Sequence, residues 1–553
     1  MEKVKTILII GANDRAAYSV ARQYSLNNYY VVICNWEDHP IKHSKYVNQF
    51  LLFSDLERDF NLFIEDVENY LKNNIVYCVS PINDTAIIVC HYLKKKNSDL
   101  IFLNINDDDT IKYASNKYQL ILKCQELLIP IPKTKYISNL KDLDFFLENN
   151  NENLCYPLII KPVESKKLFE NKIFSNVVKK VYNRTQLINS VRELIHIVPV
   201  MIQEKITGHG VGFNLIAEKG KIVDYYMHER INEQWGGGES SYRKTILNDK
   251  YNLHNYVKKL IENIKWTGVC MIEFIINDNK AYVMEINGRF WGSIELGIFA
   301  GKNFPLMQIE LISHNRLINT SKLNKVYFSR NLINDFRWAF IGLTKHKRFL
   351  NFIKWFLNLY KSLRKNEIVE DSFFRDFKFR SSILISFWIK FYNKLIRILA
   401  LIFFRYPRAQ LNKIPEKSNI AFICKGNICR SSFAEHYSKI NFQNYNFFSA
   451  GTIKQNNRYV PIFALDAALK FHINMSNHLS KNIKDIEDIK IDFFIIMDKE
   501  NYYDLIRQYK INKNKIIFLS NKKSISDPYN ESLDNFILTY QRISKELDLL
   551  FRM

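Results

Sequence analysis

Long apolar runs are missing from this 553-residue chain. Its most hydrophobic stretch, Ile383 to Phe404, is broken by Lys390, Lys394 and Arg397, and the longest uncharged run there is nine residues, Ser381 to Ile389. A bilayer-spanning helix needs about 20 apolar residues, which excludes one here. Ordered cysteine spacing is also missing: Cys34, Cys78, Cys90, Cys124, Cys155, Cys270, Cys424 and Cys429 show neither zinc-ligand spacing nor a disulfide framework. That points to a reducing, cytoplasmic setting. The apolar run near the start ends at Ile10, short of a secretory core, so Ile7 to Ile10 reads as a buried strand. Internal repeats and low-complexity tracts are absent as well.

With 47% hydrophobic and 24% charged residues the composition is that of a globular protein, and the length implies three or four folding units. The net charge of +23 is uneven. From Lys345 to Arg408 fifteen basic residues face four acidic ones, a local excess of +11. A concentrated excess suggests a local anionic surface as partner and argues against a nucleic-acid-binding protein. Lys390, Lys394 and Arg397 share one helical face near Phe387, Trp388 and Phe391, the pattern of a helix lying on an anionic membrane surface through 383–404. Packing of that helix on the protein itself is the alternative.

Near the end, the apolar run Ile420 to Ile423 leads into Cys424-Lys-Gly-Asn-Ile-Cys-Arg430 and then a helix start. Five residues between Cys424 and Arg430 let a loop curl so that backbone N–H groups and the helix N-terminus converge on one point. Such a nest stabilises a thiolate and a tetrahedral oxyanion, and Arg430 supplies a planar fork for two phosphoryl oxygens. The segment resembles the loop of the low-molecular-weight protein tyrosine phosphatases. Further likenesses follow in the family's order: Ser449-Ala-Gly-Thr452, His478-Leu-Ser480, Ile496-Met-Asp498 and Ser526-Asp-Pro-Tyr529. The resemblance implies Cys424 as nucleophile, Arg430 as phosphate clamp and Asp527 as general acid. It also implies Asn427 as the strut of the loop and Ser431 as a hydrogen-bond partner of the thiolate. Ser432 stands where that family usually has proline, and Asn530 where a second entrance aromatic is common. Cys429, in the same loop, is a candidate redox partner for Cys424.

In the first half, Ile272-Glu-Phe274 and Met284-Glu-Ile-Asn-Gly-Arg289 flank a turn at Asn277 to Lys280. On paired antiparallel strands Glu273, Glu285 and Asn287 converge, a hard-oxygen set suited to Mg2+ beside nucleotide phosphates, with Arg289 two positions further on. This constellation resembles the ATP-grasp ligases, in their carbamoyl-phosphate-synthase-like branch. By that resemblance Lys117 and Lys161 contact the nucleotide, Gln203, Glu204 and Ile206 form the hinge that receives adenine, and Arg230 with the loop Gly236 to Gly238 faces substrate. The loop after Lys161, ESKKLFENKIFSN, lacks the usual phosphate-covering glycines and offers Lys166 and Lys167 instead.

The resulting expectation is an α/β multidomain enzyme. Residues 1–105 form an α/β domain preceding the ATP-grasp domain at 106–318, a basic amphipathic helical connector covers 319–416, and 417–553 form an α/β phosphatase domain with a parallel sheet. The two resemblances imply an ATP- and Mg2+-dependent ligase acting through an acyl phosphate on an unidentified carboxylate and nucleophile, joined to a phosphatase for phosphotyrosyl protein or a small phosphoester that needs no cofactor. A nucleotide-sensing, non-ligating module controlling the phosphatase, and a phosphatase acting on the ligase's own product, are the alternatives.

Overall fold

The computed structural model describes the chain apart from residues 1–3, 13–14, 57–58, 98, 151–153, 236, 314–321, 347–348, 361–363, 403–413, 454–457, 521–523, 530 and 553. Gly236, Asn530 and the end of the apolar segment at 403–404 therefore lie outside the described residues, as do the side chains of Phe387, Lys390, Phe391 and Lys394. Two compact units emerge. The first comprises Met1–Ser138, Asn153–Lys180 and Ile197–Ser386; the second comprises Asn139–Glu152, Val181–His196 and Phe387–Met553.

The first unit opens with a parallel sheet in the order Gln49–Leu52, Tyr30–Asn35, Thr6–Ile10, Cys78–Pro81. Ile7 to Ile10 are completely buried, as a strand covered on both faces requires. Gly11, at φ +94°, turns the chain out of the sheet. The apolar stretch Leu100 to Ile105 contributes only a single bridge, Phe102 to Val79, and Gln49–Leu52 forms the opposite edge. That edge strand is short and half exposed, so it lacks the apolar run that marks its neighbours.

Next, Val200–Glu204 pairs antiparallel with both Thr134–Ile137 and Leu158–Pro162, and Lys166–Phe169 forms a hairpin with Lys172–Ser175. A seven-stranded sheet follows, in the order Lys280–Asn287, Gly268–Asn277, His209–Glu218, Lys221–Glu233, Ser240–Ile246, Phe328–Arg330, Glu367–Val369. The turn between Asn277 and Lys280 places Asp278 and Asn279 at positive φ, as a two-residue hairpin demands. The last two strands come from the segment expected to be a helical connector, which thus also builds sheet. All four of its acids between 345 and 408, Glu367, Glu370, Asp371 and Asp376, are buried. The helix Phe377–Ile402 starts in this unit, where Phe379 joins the core.

In the second unit that helix places Arg397 3.3 Å from Glu500 and 3.4 Å from Asp504. No helix among the described residues is long and apolar enough to cross a membrane. A parallel sheet in the order Asn446–Gly451, Asn419–Cys424, Phe493–Ile496, Ile516–Phe518 forms the centre. Helices Arg430–Asn441 and Leu533–Phe551 belong to one core, and Ile483, Ile486 and Leu505 to a second on the other face. Chain order reverses on either side of Asn419–Cys424, which opens a crevice at that strand's carboxyl end.

Candidate active sites

Cys424 ends the central strand of the second unit, at the crevice. Its Sγ lies 3.0 Å from Ser431 Oγ and accepts a hydrogen bond from the Asn427 backbone N–H at 3.2 Å. Asn427 holds the turn with φ +53°, a conformation asparagine tolerates better than most residues. Its side-chain amide donates to Ser431 Oγ (3.0 Å) and Ser449 Oγ (2.7 Å), while its Oδ1 accepts from the Lys481 N–H (2.8 Å). His478 Nε2 lies 3.0 Å from the Asn427 carbonyl, and Arg458 donates to the Gly426 carbonyl at 2.8 Å. Burial pushes the His478 pKa below its ordinary value, which keeps the ring neutral and fit to donate to that carbonyl.

Arg430 opens the helix after the loop and is almost fully buried. One arm donates to Asp498 Oδ2 (2.7 Å) and the Ile525 carbonyl (2.8 Å), the other to Asp527 Oδ2 (2.9 Å). Arg430 Nε is buried without a hydrogen-bond partner. Cys424, Ser431, Asn427, Arg430 and Asp527 are thus brought together. Asp498, which the sequence marked only as a strand end, is an additional partner. Cys429 is buried, and burial first of all pushes its thiol pKa well up. Tyr529 donates to Glu193 Oε2 at 3.1 Å, a contact with the helix Arg184–Ile195 that no local motif announces.

In the first unit Glu273 and Glu285 are direct cross-strand partners. Asn287 Nδ2 lies 3.1 Å from Glu273 Oε1 and 3.5 Å from Glu285 Oε1. Arg230 donates to Glu273 Oε2 (2.6 Å) and to Glu233 Oε1 (3.1 Å). Burial raises the Glu273 pKa, Arg230 opposes that rise, and neighbouring Glu285 adds to it. Lys161 is buried on its strand; desolvation lowers its pKa, against the pull of Glu285 and Glu273. Lys117 donates to Ser165 Oγ, and Arg289 forks onto Asp84 at 2.8 and 3.2 Å. Gln203 is buried and donates to Thr134 Oγ1, leaving its own Oε1 without a partner. Glu204 Oε1 accepts from the Lys133 N–H at 2.8 Å, and Ile206 sits half-buried in the following loop. The hairpin after Lys161 turns through Glu170 and Asn171, both at positive φ where glycine would be usual, and Lys166 donates to Ser175 Oγ across it.

Two carboxylates with the Asn287 amide between them form a hard-donor set of the kind magnesium takes once that amide presents its oxygen. The orphaned Gln203 Oε1 similarly offers an acceptor at the end of its strand.

The chain is a fusion enzyme. Residues 114–293 match the ATP-grasp domain, and residues 419–553 match the low molecular weight phosphotyrosine protein phosphatase family. An uncharacterised protein of Methanocaldococcus jannaschii is 24% identical over 334 residues, 59% of this chain and 78% of its own length. The low molecular weight protein-tyrosine-phosphatase PtpB of Staphylococcus aureus is 27% identical over 128 residues, 22% of this chain and 90% of its own. Among solved structures, an L-amino acid ligase from Bacillus licheniformis superposes with a TM-score of 0.45 at 18% identity, over 56% of this chain and 74% of that one.

Proposed function

We propose that the protein is bifunctional: a cysteine-dependent phosphatase acting through a cysteinyl-phosphate, and an ATP-dependent carboxylate ligase acting through an acyl phosphate. The observation that carries the first activity is Arg430 holding Asp527 at 2.9 Å beside the Cys424 loop. The Cys424 thiolate, stabilised by the Asn427 N–H and Ser431 hydroxyl, attacks phosphorus and displaces the alkoxide or phenoxide. Protonated Asp527 gives its proton to that leaving oxygen. A water then attacks the cysteinyl-phosphate, Asp527 takes the water's proton, and inorganic phosphate leaves with the thiolate restored. Arg430 exchanges its carboxylate partners for phosphoryl oxygens as substrate enters.

For the ligase, Glu273, Glu285 and Asn287 would hold Mg2+, which offsets negative charge on the transferring phosphoryl group. Lys117, Lys161 and Arg289 supply further positive charge, and the Gln203–Ile206 hinge receives the base. Glu285→Gln should abolish magnesium-dependent ATP consumption while p-nitrophenyl phosphate hydrolysis stays near wild type. Equal ATP consumption in the two proteins would refute the metal assignment.

A second reading, nucleotide control of the phosphatase, is favoured by the Tyr529 to Glu193 bond, because Glu193 lies within the ATP-grasp match. Glu193→Gln should then change phosphatase KM or its response to a non-hydrolysable ATP analogue. Identical kinetics in both proteins, with and without analogue, would discard that reading.

A further inference from the structure

The first unit contains a cavity of about 180 Å3 lined by residues from the helix Arg15–Leu26, the turn at Ile41, the Gly292 to Glu295 turn and the segment Glu370 to Ile383. Four polar atoms of lining residues are buried without a hydrogen-bond partner: Arg15 Nη1, Arg380 Nε, Tyr18 Oη and Glu295 Oε2. Each such atom costs on the order of 1–3 kcal/mol, more where the group is charged, so their gathering around one space asks for a ligand.

The chemistry of the four is mixed. Arg380 already donates to the Glu370 carbonyl at 2.6 Å, and Arg15 reaches Glu239 at 3.4 Å while its Nη1 lies 3.9 Å from Glu370 Oε2, an ion pair too long for a hydrogen bond; each retains a guanidinium N–H with no hydrogen-bond partner. Glu295 spends Oε1 on Arg22 (2.7 Å) and Arg375 (2.5 Å), while its side chain is 4% exposed and Oε2 is unused. A simple anion would satisfy the arginines and strand Glu295; a simple cation would do the reverse. A single ligand carrying both charges satisfies all of them at once. Burial raises the Tyr18 pKa to about 12, so its hydroxyl keeps its proton. The remaining lining includes Ile41, Phe379 and Ile383, which suits an apolar group. At about 30 Å3 per water, the space equals roughly six waters, room for a small organic molecule.

We propose that this cavity binds a free α-amino acid with an apolar side chain of moderate size. Its carboxylate lies on Arg15 and Arg380, its ammonium on Glu295 Oε2, and its side chain against Phe379 and Ile383. Resting on the ligase reading, the amino acid is one of the two substrates that the ATP-dependent half joins. A short relay connects the two places: lining residue Glu370 pairs with Arg243 at 3.1 Å, Arg243 lies opposite Arg230 on the next strand, and Arg230 holds Glu273.

Isothermal titration of the full chain, without nucleotide, with leucine, leucine methyl ester, N-acetyl-leucine and isocaproate tests the site. Leucine should bind, and loss of either charge should weaken binding by about tenfold or more. Arg380→Met should cost a similar factor. Ile383→Trp, which fills the cavity and leaves every charge in place, should abolish binding with the melting temperature held. Absence of leucine binding at millimolar concentration, isocaproate binding as well as leucine, or unaltered binding by Ile383→Trp would each overturn the proposal. ATP consumption is read separately. Consumption that depends on Glu285 yet ignores leucine and its apolar homologues would overturn the substrate role, whereas leucine binding without any magnesium-dependent consumption would instead sink the ligase reading.

Discussion

Arg430 spends both arms on Asp498 and Asp527, so a phosphate dianion must displace carboxylates to bind. Asp527→Asn removes the proposed proton donor and leaves a hydrogen-bonding side chain. Its rate deficit in single-turnover formation of the cysteinyl-phosphate should therefore widen as leaving-group pKa rises across a series of aryl phosphates. A deficit independent of leaving group would make Asp527 structural. Cys424→Ser should show no turnover of any of these esters, because an alcohol at its normal pKa cannot replace a thiolate. His478 sets a pH limit. Its folded pKa lies below the unfolded value of about 6.5, so the unfolded chain binds more protons between the two, and stability falls as pH drops below about 6.5. His478→Asn should flatten the acid slope of the melting temperature between about pH 7 and 5; an unchanged slope would contradict the neutral assignment. Cys424, Arg430, Glu273 and Glu285 were legible because a loop of fixed length and a strand parity of two place them, whereas Asn427 and Ser431 came from the family resemblance alone. Asp498, Asp84 and Glu193 were not, because their partners Arg430, Arg289 and Tyr529 lie 68 or more residues away and no local spacing links them.

At the scale of elements, the seven-stranded sheet shows where sequence patterning fails. Phe328–Arg330 and Glu367–Val369 are three residues each, too short for alternation to register. Their charges are nonetheless internal: Arg330 is buried between Asp335 (2.6 Å) and Glu367 (2.9 Å) and stacks 3.8 Å from the Tyr242 ring. Removing one member of such a network strands the others. Arg330→Met should thus cost about 3–5 kcal/mol in urea unfolding of the first unit, while leaving Cys424 chemistry unaffected. A loss below about 1 kcal/mol would mean that the carboxylates find other partners. The parallel strands Thr6–Ile10 and Asn419–Cys424 were legible for the opposite reason: burial on both faces writes a continuous apolar run.

At the scale of the whole molecule, the sequence suggested domains that follow one another, with the phosphatase confined to 417–553. The second compact unit also takes in Asn139–Glu152 and Val181–His196, which bracket residues of the first unit and include the helix bearing Glu193. Periodicity could identify those helices as amphipathic; it carries no information about which core receives them. Expressed alone, residues 417–553 should keep Cys424 chemistry but unfold at lower temperature than the same transition in the full chain, and a Tyr529→Phe change that alters KM in the full chain should be silent in the fragment. Matching transitions would show that the inserted helices add nothing. No single cut through the gene yields both halves intact, so duplication, shuffling or laboratory dissection of this enzyme must move three separate stretches of DNA to transplant one of its two bodies.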